Sequence, residues 1–131
     1  MELETINFHD ASNRIYSDIR KVDGKYLYLS GLISEDLETG EILDGDIKFQ
    51  TNCVLNNLKT ILEKYDSDMA HIIRMEVILQ DFADKEEMNN EYVKHFKQEH
   101  LPARLCFGNA ALADNMKIEI MATAIVKDKE N

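Results

Sequence analysis

The sequence is short of the features that mark linkers, membrane spans and secretion. Of its 131 residues only Pro102 is proline, and no serine- or glycine-rich stretch suggests a flexible linker. No apolar run approaches the roughly 20 residues that cross a bilayer as a helix. Residues 1–4 include two glutamates, where a secretory signal would be basic and then apolar. We therefore expect a single domain over residues 1–131 that lies in the cytoplasm.

Positive charge is scarce as well. The chain has 15 Lys and Arg residues against 25 Asp and Glu residues, which gives a formal net charge of -10. Such a chain is repelled by phosphate backbones and anionic lipid, so nucleic-acid and membrane binding are disfavoured. The remaining composition, 44% hydrophobic and 31% charged, is that of a folded globular domain.

Residues that form disulfides or bind metals are few and badly spaced for either purpose. Cys53 and Cys106 lie far apart without a C-x-x-C pair, so both are expected to be reduced thiols. The four histidines show neither an i, i+4 pair nor H-x-H spacing, and a catalytic metal is therefore not expected. The chain also lacks a glycine-rich phosphate-binding loop.

Hydrophobic periodicity predicts an α+β fold, because strands repeat every two residues and helices every 3.6. The predicted elements are short strands around residues 3–6 and 15–19, a strand at 25–30, a helix from Asp46, a strand at 71–80, a helix from Asp84, and strands at 104–107 and 117–126. A turn is expected at 22–25, a loop at 37–40, and irregular structure at 7–13. This order favours two helices packed on one face of a sheet.

Local patterns add detail to the helices and strands. Asp46 is placed to cap the first helix, and Asp84 with Glu87 has the spacing of a capping box. The apolar positions of the first helix are Phe49, Cys53, Leu58, Ile61, Leu62 and Tyr65, and those of the second are Met88, Tyr92 and Phe96. In the strand at 71–80, one face is predicted to hold Ile73, Met75, Val77 and Leu79.

The central strands carry apolar residues on both faces, as strands covered on two sides do. With the helices on one face, a monomer would expose roughly several hundred Å² of apolar surface on the other. We therefore expect a homo-oligomer.

Several short motifs then occur in a recognisable order. They are Ser30-Gly31-Leu32-Ile33, Glu38-Thr39-Gly40-Glu41, Leu55-Asn56-Asn57-Leu58, Leu101-Pro102-Ala103-Arg104-Leu105-Cys106 and Lys117-Ile118-Glu119-Ile120. Over about residues 16–127 the sequence thus resembles the RidA/YjgF family of reactive-intermediate deaminases. The resemblance implies a chorismate-mutase-like (bacillar) subunit with one mixed β-sheet and two helices on one face. It also implies a homotrimer with a central β-barrel and three clefts between subunits.

The same resemblance implies an activity. Members hydrolyse reactive 2-imino acids and enamines, products of pyridoxal-phosphate enzymes such as threonine or serine dehydratases, to 2-keto acids and ammonia. It implies no metal and no cofactor. The implied partners are a small 2-imino or 2-keto acid and further copies of the chain, without nucleic acid or membrane.

Arg104 and Glu119 are the candidate catalytic residues. A guanidinium matches a planar carboxylate bidentately, so Arg104 is predicted to clamp the substrate carboxylate and orient the imine carbon. Glu119 emerges from the last strand and is predicted to orient or deprotonate the attacking water. The alternatives are a surface or intersubunit salt bridge for Arg104 and a nearby lysine or arginine partner for Glu119.

Cys106, Tyr16 and Ser30 complete the predicted substrate-binding set. Cys106 follows Arg104 by two residues, so both point to the same side of an extended strand; simple packing is the alternative. The resemblance assigns Tyr16 and Ser30 to the pocket. Tyr16 lies in Arg14-Ile15-Tyr16, where the family has Gly-Pro-Tyr, and the spacing to Ser30 is one residue longer. Arg14 would either favour a larger or more acidic substrate or face solvent.

Two other functions stay open. The altered segment around Tyr16 is compatible with a trimeric module that binds a small carboxylate without turning it over. A ribonuclease or translation-inhibitor function is sometimes attached to the family, but the net charge and the lack of a basic aromatic stripe argue against it.

Met121 stands where the family often has another glutamate, which makes the predicted site less charged.

Overall fold

A computed structural model describes residues 1–9 and 13–128. Residues 10–12 of the segment predicted to be irregular, and the last three residues of the chain, lie outside these ranges. Within them the strands and α-helices are β1 Leu3–Ile6, β2 Ile19–Val22, β3 Tyr26–Leu29, α1 Ile47–Lys64, β4 Ile72–Leu79, α2 Lys85–Tyr92, β5 Ala103–Phe107 and β6 Ile118–Ile125. No helix in the described part of the chain is long and apolar enough to cross a membrane.

The strands form one mixed sheet in the order β1-β2-β3-β6-β4-β5. The β4–β5 pair is parallel, and the remaining pairs are antiparallel. A parallel pair needs a crossover, which α2 supplies. The turn predicted between β2 and β3 is confirmed: Asp23 and Gly24 both have positive φ, 53° and 64°, as a tight hairpin turn requires.

Both helices pack on the same face of the sheet, as the element order predicts. Asp46 caps α1 by accepting a hydrogen bond from the Phe49 backbone N at 2.8 Å. The predicted apolar stripe is partly wrong, because Phe49 is 46% exposed and Cys53 is half-buried. The inward position belongs to Gln50, which donates to the Gly45 carbonyl and accepts from the Lys117 backbone N, both at 2.9 Å.

Two strand predictions are corrected by local geometry. The strand expected at 15–19 begins only at Ile19, and Ile15 is 95% exposed in the preceding loop. In β4 the register shifts between Ile72 and Arg74, so Ile72 is buried and Ile73 is exposed. A bulge of this kind moves a side chain to the other face, which reverses the prediction at Ile73.

The capping box predicted at the start of α2 is wrong. Asp84 makes no side-chain cap hydrogen bond. Asp81 instead accepts from the Ala83 backbone N at 2.9 Å and starts a single 3-10 turn that runs into α2. The helix ends at Tyr92, and Phe96 follows a further 3-10 turn, with its ring 4.7 Å from that of Tyr92.

The sheet face opposite the helices exposes several large apolar side chains within the described part of the chain, beside the charged pair Arg74 and Glu76. Its exposed large side chains are Tyr28, Ile73, Leu105, Phe107 and Met121, each between 40% and 50% exposed. Within one chain β3 is therefore covered on a single face, with Leu27 and Leu29 buried and Tyr28 exposed. We call this surface the outward face.

Candidate functional site

Arg104 lies on the edge strand β5, on the same side of the sheet as the helices. Its register partner on β4 is the fully buried Met75. Nη1 of Arg104 donates to Oδ1 of Asn89 at 2.7 Å, and Cζ lies 4.8 Å from the ring centroid of Tyr92. Within residues 1–9 and 13–128, no carboxylate forms an ion pair with Arg104. Among the described residues its positive charge is therefore not neutralised by a direct partner.

A cleft of about 300 Å³ lies beside Arg104, where the end of α2 meets the chain leading into β5. Its walls are mostly apolar: Tyr92, Val93, Leu101 and Pro102 line it together with Asn89 and Arg104. Cys106 lies on the same side of β5 as Arg104, in register with buried Val77, and packs against the core. A cation at the edge of an apolar cleft suits a small carboxylate with an apolar substituent.

Tyr92 combines deep burial with an unused polar atom. The side chain is 5% exposed, and in the described part of the chain its hydroxyl has no hydrogen-bond partner. Burial raises the pKa of Tyr92 to about 12, against smaller opposing effects of the neighbouring Arg104 guanidinium. The phenol therefore stays protonated and neutral at physiological pH.

Glu119 lies on β6 and points to the outward face. Its register partner on β4 is Ile78, and its carboxylate packs directly on Gly31, where an added Cβ would overlap the Oε2 atom. Burial raises the pKa of Glu119 above the usual 4.5 of a glutamate. No lysine or arginine in the described ranges forms an ion pair with it. Met121 follows on the same face and is 40% exposed.

Ser30 ties the loop that carries Tyr16 to the end of β3. Its Oγ donates to the Ser17 carbonyl at 2.6 Å, and its backbone N donates to the Asp18 carbonyl at 2.9 Å. Tyr16 is 59% exposed. Since Ser30 precedes Gly31, the Tyr16 loop, Ser30 and Glu119 belong to one region of the molecule.

Arg14 neither faces solvent nor offers a free charge to a substrate within the described part of the chain. Its guanidinium donates to both carboxylate oxygens of Asp18, at 2.7 and 2.6 Å, and its side chain is only 20% exposed. Cζ also lies 5.1 Å from the ring centroid of Tyr16. Its charge is therefore engaged with Asp18, and Arg14 supports the Tyr16 loop.

The predicted site residues thus fall into two groups. Arg104 and Cys106 form one group on the helix side, whereas Tyr16, Ser30 and Glu119 form the other around the outward face. Arg104 is in register with Met75 on β4, and Glu119 is in register with Ile78. Since Met75 and Ile78 are three residues apart, the side chains of Arg104 and Glu119 lie on opposite sides of the sheet. β5 and β6 are also separated by β4, a distance of about 10 Å. One chain does not bring the two groups onto one small ligand.

Three residues that contact Arg104 or Glu119 were not predicted to belong to the site: Asn89, Tyr92 and Gly31. Asn89 and Tyr92 are three residues apart on α2, but only the parallel pairing of β5 with β4 shows that they meet Arg104. Gly31 is part of the Ser30-Gly31-Leu32-Ile33 motif, yet its close contact with Glu119 depends on the three-dimensional structure.

Within the described ranges, no three His, Cys, Asp or Glu side chains are placed to hold a metal ion.

Comparison with known proteins identifies relatives over most of the chain. Residues 9–126 match the family described as endoribonuclease L-PSP. A RutC family protein of Pyrococcus horikoshii is 41% identical over 77% of this chain and 79% of its own length. Human 2-iminobutanoate/2-iminopropanoate deaminase is 33% identical over 84% of this chain and 79% of its own. The crystal structure of yeast Mmf1 superposes with a TM-score of 0.84 at 30% identity, covering 96% of this chain and all of that one.

Proposed function

The chain belongs to the endoribonuclease L-PSP family, also called YjgF/RidA, and we propose that it hydrolyses reactive 2-imino acids to 2-keto acids and ammonia. Relatives named 2-iminobutanoate/2-iminopropanoate deaminase support the reaction, at 28% to 34% identity. The observation that carries the proposal is the guanidinium of Arg104, presented at an apolar cleft without an acidic partner in the described chain.

Arg104 binds the substrate carboxylate in this proposal. Asn89 occupies a donor on Nη1, which leaves the donors on Nε and Nη2. That pair matches the two oxygens of a carboxylate side-on. Holding the carboxylate fixes the position of the adjacent imine carbon for attack, which is the positional part of catalysis.

Glu119 manages the protons of the hydrolysis. It takes a proton from a water molecule as the water oxygen bonds to the imine carbon, and it gives this proton to the imine nitrogen, which becomes an amine. Glu119 then moves the proton of the new hydroxyl to that amine. The carbon–nitrogen bond breaks as the carbon–oxygen double bond forms, and ammonia leaves with a 2-keto acid as the product. A carboxyl with a raised pKa suits this exchange better than an ordinary surface glutamate.

A complete site requires two copies of the chain. Arg104 and Glu119 lie on opposite sides of the sheet, so Arg104 of one subunit would meet the Tyr16, Ser30 and Glu119 group of its neighbour. The large apolar side chains exposed on the outward face support self-association, because soluble monomers rarely leave such side chains grouped on their surface. We propose the assembly that the family resemblance implies, a homotrimer with a central β-barrel and three clefts between subunits.

RNA cleavage is not part of the proposal, although the family is described by that activity. A formal net charge of -10 opposes association with a phosphate backbone.

The test supplies the protein with the products of a threonine dehydratase and follows release of 2-oxobutanoate. We expect the protein to accelerate release, Arg104→Ala to abolish the acceleration, and Lys59→Ala, which removes an exposed cation on α1, to leave it unchanged. No acceleration, or acceleration that survives Arg104→Ala, contradicts the proposal. Tight calorimetric binding of 2-oxobutanoate without turnover would instead indicate the binding module.

A further inference from the structure

We propose that Asn89 and Tyr92 are positioning residues that hold the Arg104 guanidinium ready for a carboxylate while leaving its charge unneutralised. The inference rests on the proposed function for its substrate, but it concerns how the chain builds the anion site. It assigns a role to two α2 residues that touch Arg104 from different directions.

The two contacts fix the guanidinium on one edge and one face. Asn89 accepts from Nη1 at 2.7 Å, and the Tyr92 ring lies under Cζ at 4.8 Å from its centroid. A cation over an aromatic face is attracted by the ring quadrupole, and the amide hydrogen bond fixes the rotation about the stacking axis. The remaining edge is therefore presented to the cleft before any ligand arrives.

The supporting helix is itself held firmly. Met88 is fully buried beside Asn89, and Tyr92 is 5% exposed one turn later. Residues three apart on a helix lie on the same face, so a single rigid element carries both contacts. A long arginine side chain loses less conformational freedom on binding a ligand when it is already held in place.

Both partners are uncharged, and this is the feature that distinguishes them from an ordinary arginine partner. Arg14 in the same chain shows the ordinary case: Asp18 takes two of its donors at 2.7 and 2.6 Å and neutralises its charge. An aspartate in place of Asn89 would hold Arg104 at least as firmly, but it would compete with an incoming carboxylate. Asn89 thus provides orientation without charge compensation.

The ring of Tyr92, and not its hydroxyl, performs the positioning. The hydroxyl is buried and has no partner in the described part of the chain. Removing an unsatisfied buried polar group is neutral or stabilising, so phenylalanine should replace tyrosine without loss. Leucine is apolar but smaller, and it offers no aromatic face to the guanidinium.

The experiment measures calorimetric binding of 2-oxobutanoate together with KM, kcat and the melting temperature of each variant. We expect Asn89→Asp to weaken binding and raise KM by about tenfold or more, with kcat affected less and the melting temperature unchanged. Asn90→Asp is the matched control, because it introduces the same charge at the next, exposed position of α2 and should bind as the wild type does. If Asn89 had only a structural role, Asn89→Asp would lower the melting temperature together with the affinity for 2-oxobutanoate.

The tyrosine pair tests the second contact. Tyr92→Phe should keep wild-type affinity, whereas Tyr92→Leu should lose about tenfold or more in affinity while it stays folded, with a melting temperature somewhat below that of Tyr92→Phe because leucine fills less of the buried site. Unchanged affinity in Asn89→Asp, or equal losses in Tyr92→Phe and Tyr92→Leu, would overturn the inference, as would a wild-type protein that does not bind 2-oxobutanoate. The expected binding pattern in a protein that does not hydrolyse imines would support the inference and refute only the proposed function.

Discussion

Arg104 and Glu119 lie on opposite sides of the same sheet, two strands apart. Arg104 is in register with Met75 on the helix side, and Glu119 is in register with Ile78 on the outward side. Neither forms an ion pair within the described chain. This separation, together with the large apolar side chains exposed on the outward face, is why we assign the chemistry to a site that two copies complete.

Gly31 tests whether the position of the Glu119 carboxylate matters. Gly31→Ala places a methyl group where the carboxylate now packs, and the side chain of Glu119 must rotate away. Since only the end of a flexible side chain has to move, the fold should persist with a melting temperature close to that of the wild type. We expect kcat/KM for imine hydrolysis to fall by about tenfold or more. An active variant would show that Glu119 is not held there for catalysis.

Glu119→Gln should remove a proton-transfer group without removing the hydrogen-bonding shape. We expect kcat/KM to fall by about 100-fold or more, a typical contribution of a general acid–base residue. The wild-type rate should decline toward acid pH with a midpoint above 4.5, because burial raises the pKa of Glu119. A pH–rate profile shows both effects. An acid limb that persists unchanged in Glu119→Gln would assign the titration to another group.

Glu119→Gln, which should lower activity, should not lower the stability of the fold. Because folding raises the pKa of Glu119, the folded state prefers the protonated carboxyl more strongly than the unfolded state does. Ionisation of the carboxyl at a pH above 4.5 therefore opposes folding. Glu119→Gln should therefore melt at the same or a higher temperature than the wild type at neutral pH. The advantage should shrink as the pH is lowered to about 4, where the wild-type carboxyl is protonated in both states. Thermal unfolding at the two pH values measures it, and a variant destabilised at neutral pH would contradict this reading.

The outward face should be the contact between copies. Leu105→Asp places a charge on an apolar position of β5 that is 46% exposed in the isolated chain. We expect light scattering to show the wild type at three times the 15.1 kDa chain mass and Leu105→Asp at a lower mass. Phe49→Asp is the matched control, since Phe49 is also 46% exposed but lies on α1. Dissociation by both variants, or by neither, would place the interface elsewhere.

The sequence predicts the elements of this fold well where periodicity is strong. β6 alternates as expected, with Ile118, Ile120, Ala122 and Ala124 buried. The predictions fail where a non-local or irregular contact decides. The register shift beside Ile73 and the Gln50 hydrogen bonds to loop backbone leave no periodic signal.

The candidate site shows the same division. The motif around Arg104 and Cys106 predicts that they share a side of one strand, because alternation is a local property. That Arg104 and Glu119 face opposite sides depends on the register of β5 and β6 with β4, which lies between them in the sheet. The contact between Asn89 and Arg104 joins residues 15 apart in sequence, across the crossover between helix and strand.

The most direct test of a shared site is to mix two inactive variants. Arg104→Ala and Glu119→Gln are each unfolded, combined in equal amounts and refolded together, so that subunits of both kinds assemble in the same oligomer. If each site takes Arg104 from one subunit and Glu119 from its neighbour, one pairing in four is intact, and imine hydrolysis should recover to about a quarter of the wild-type rate. Activity of the mixture no greater than that of the separate variants would contradict the account.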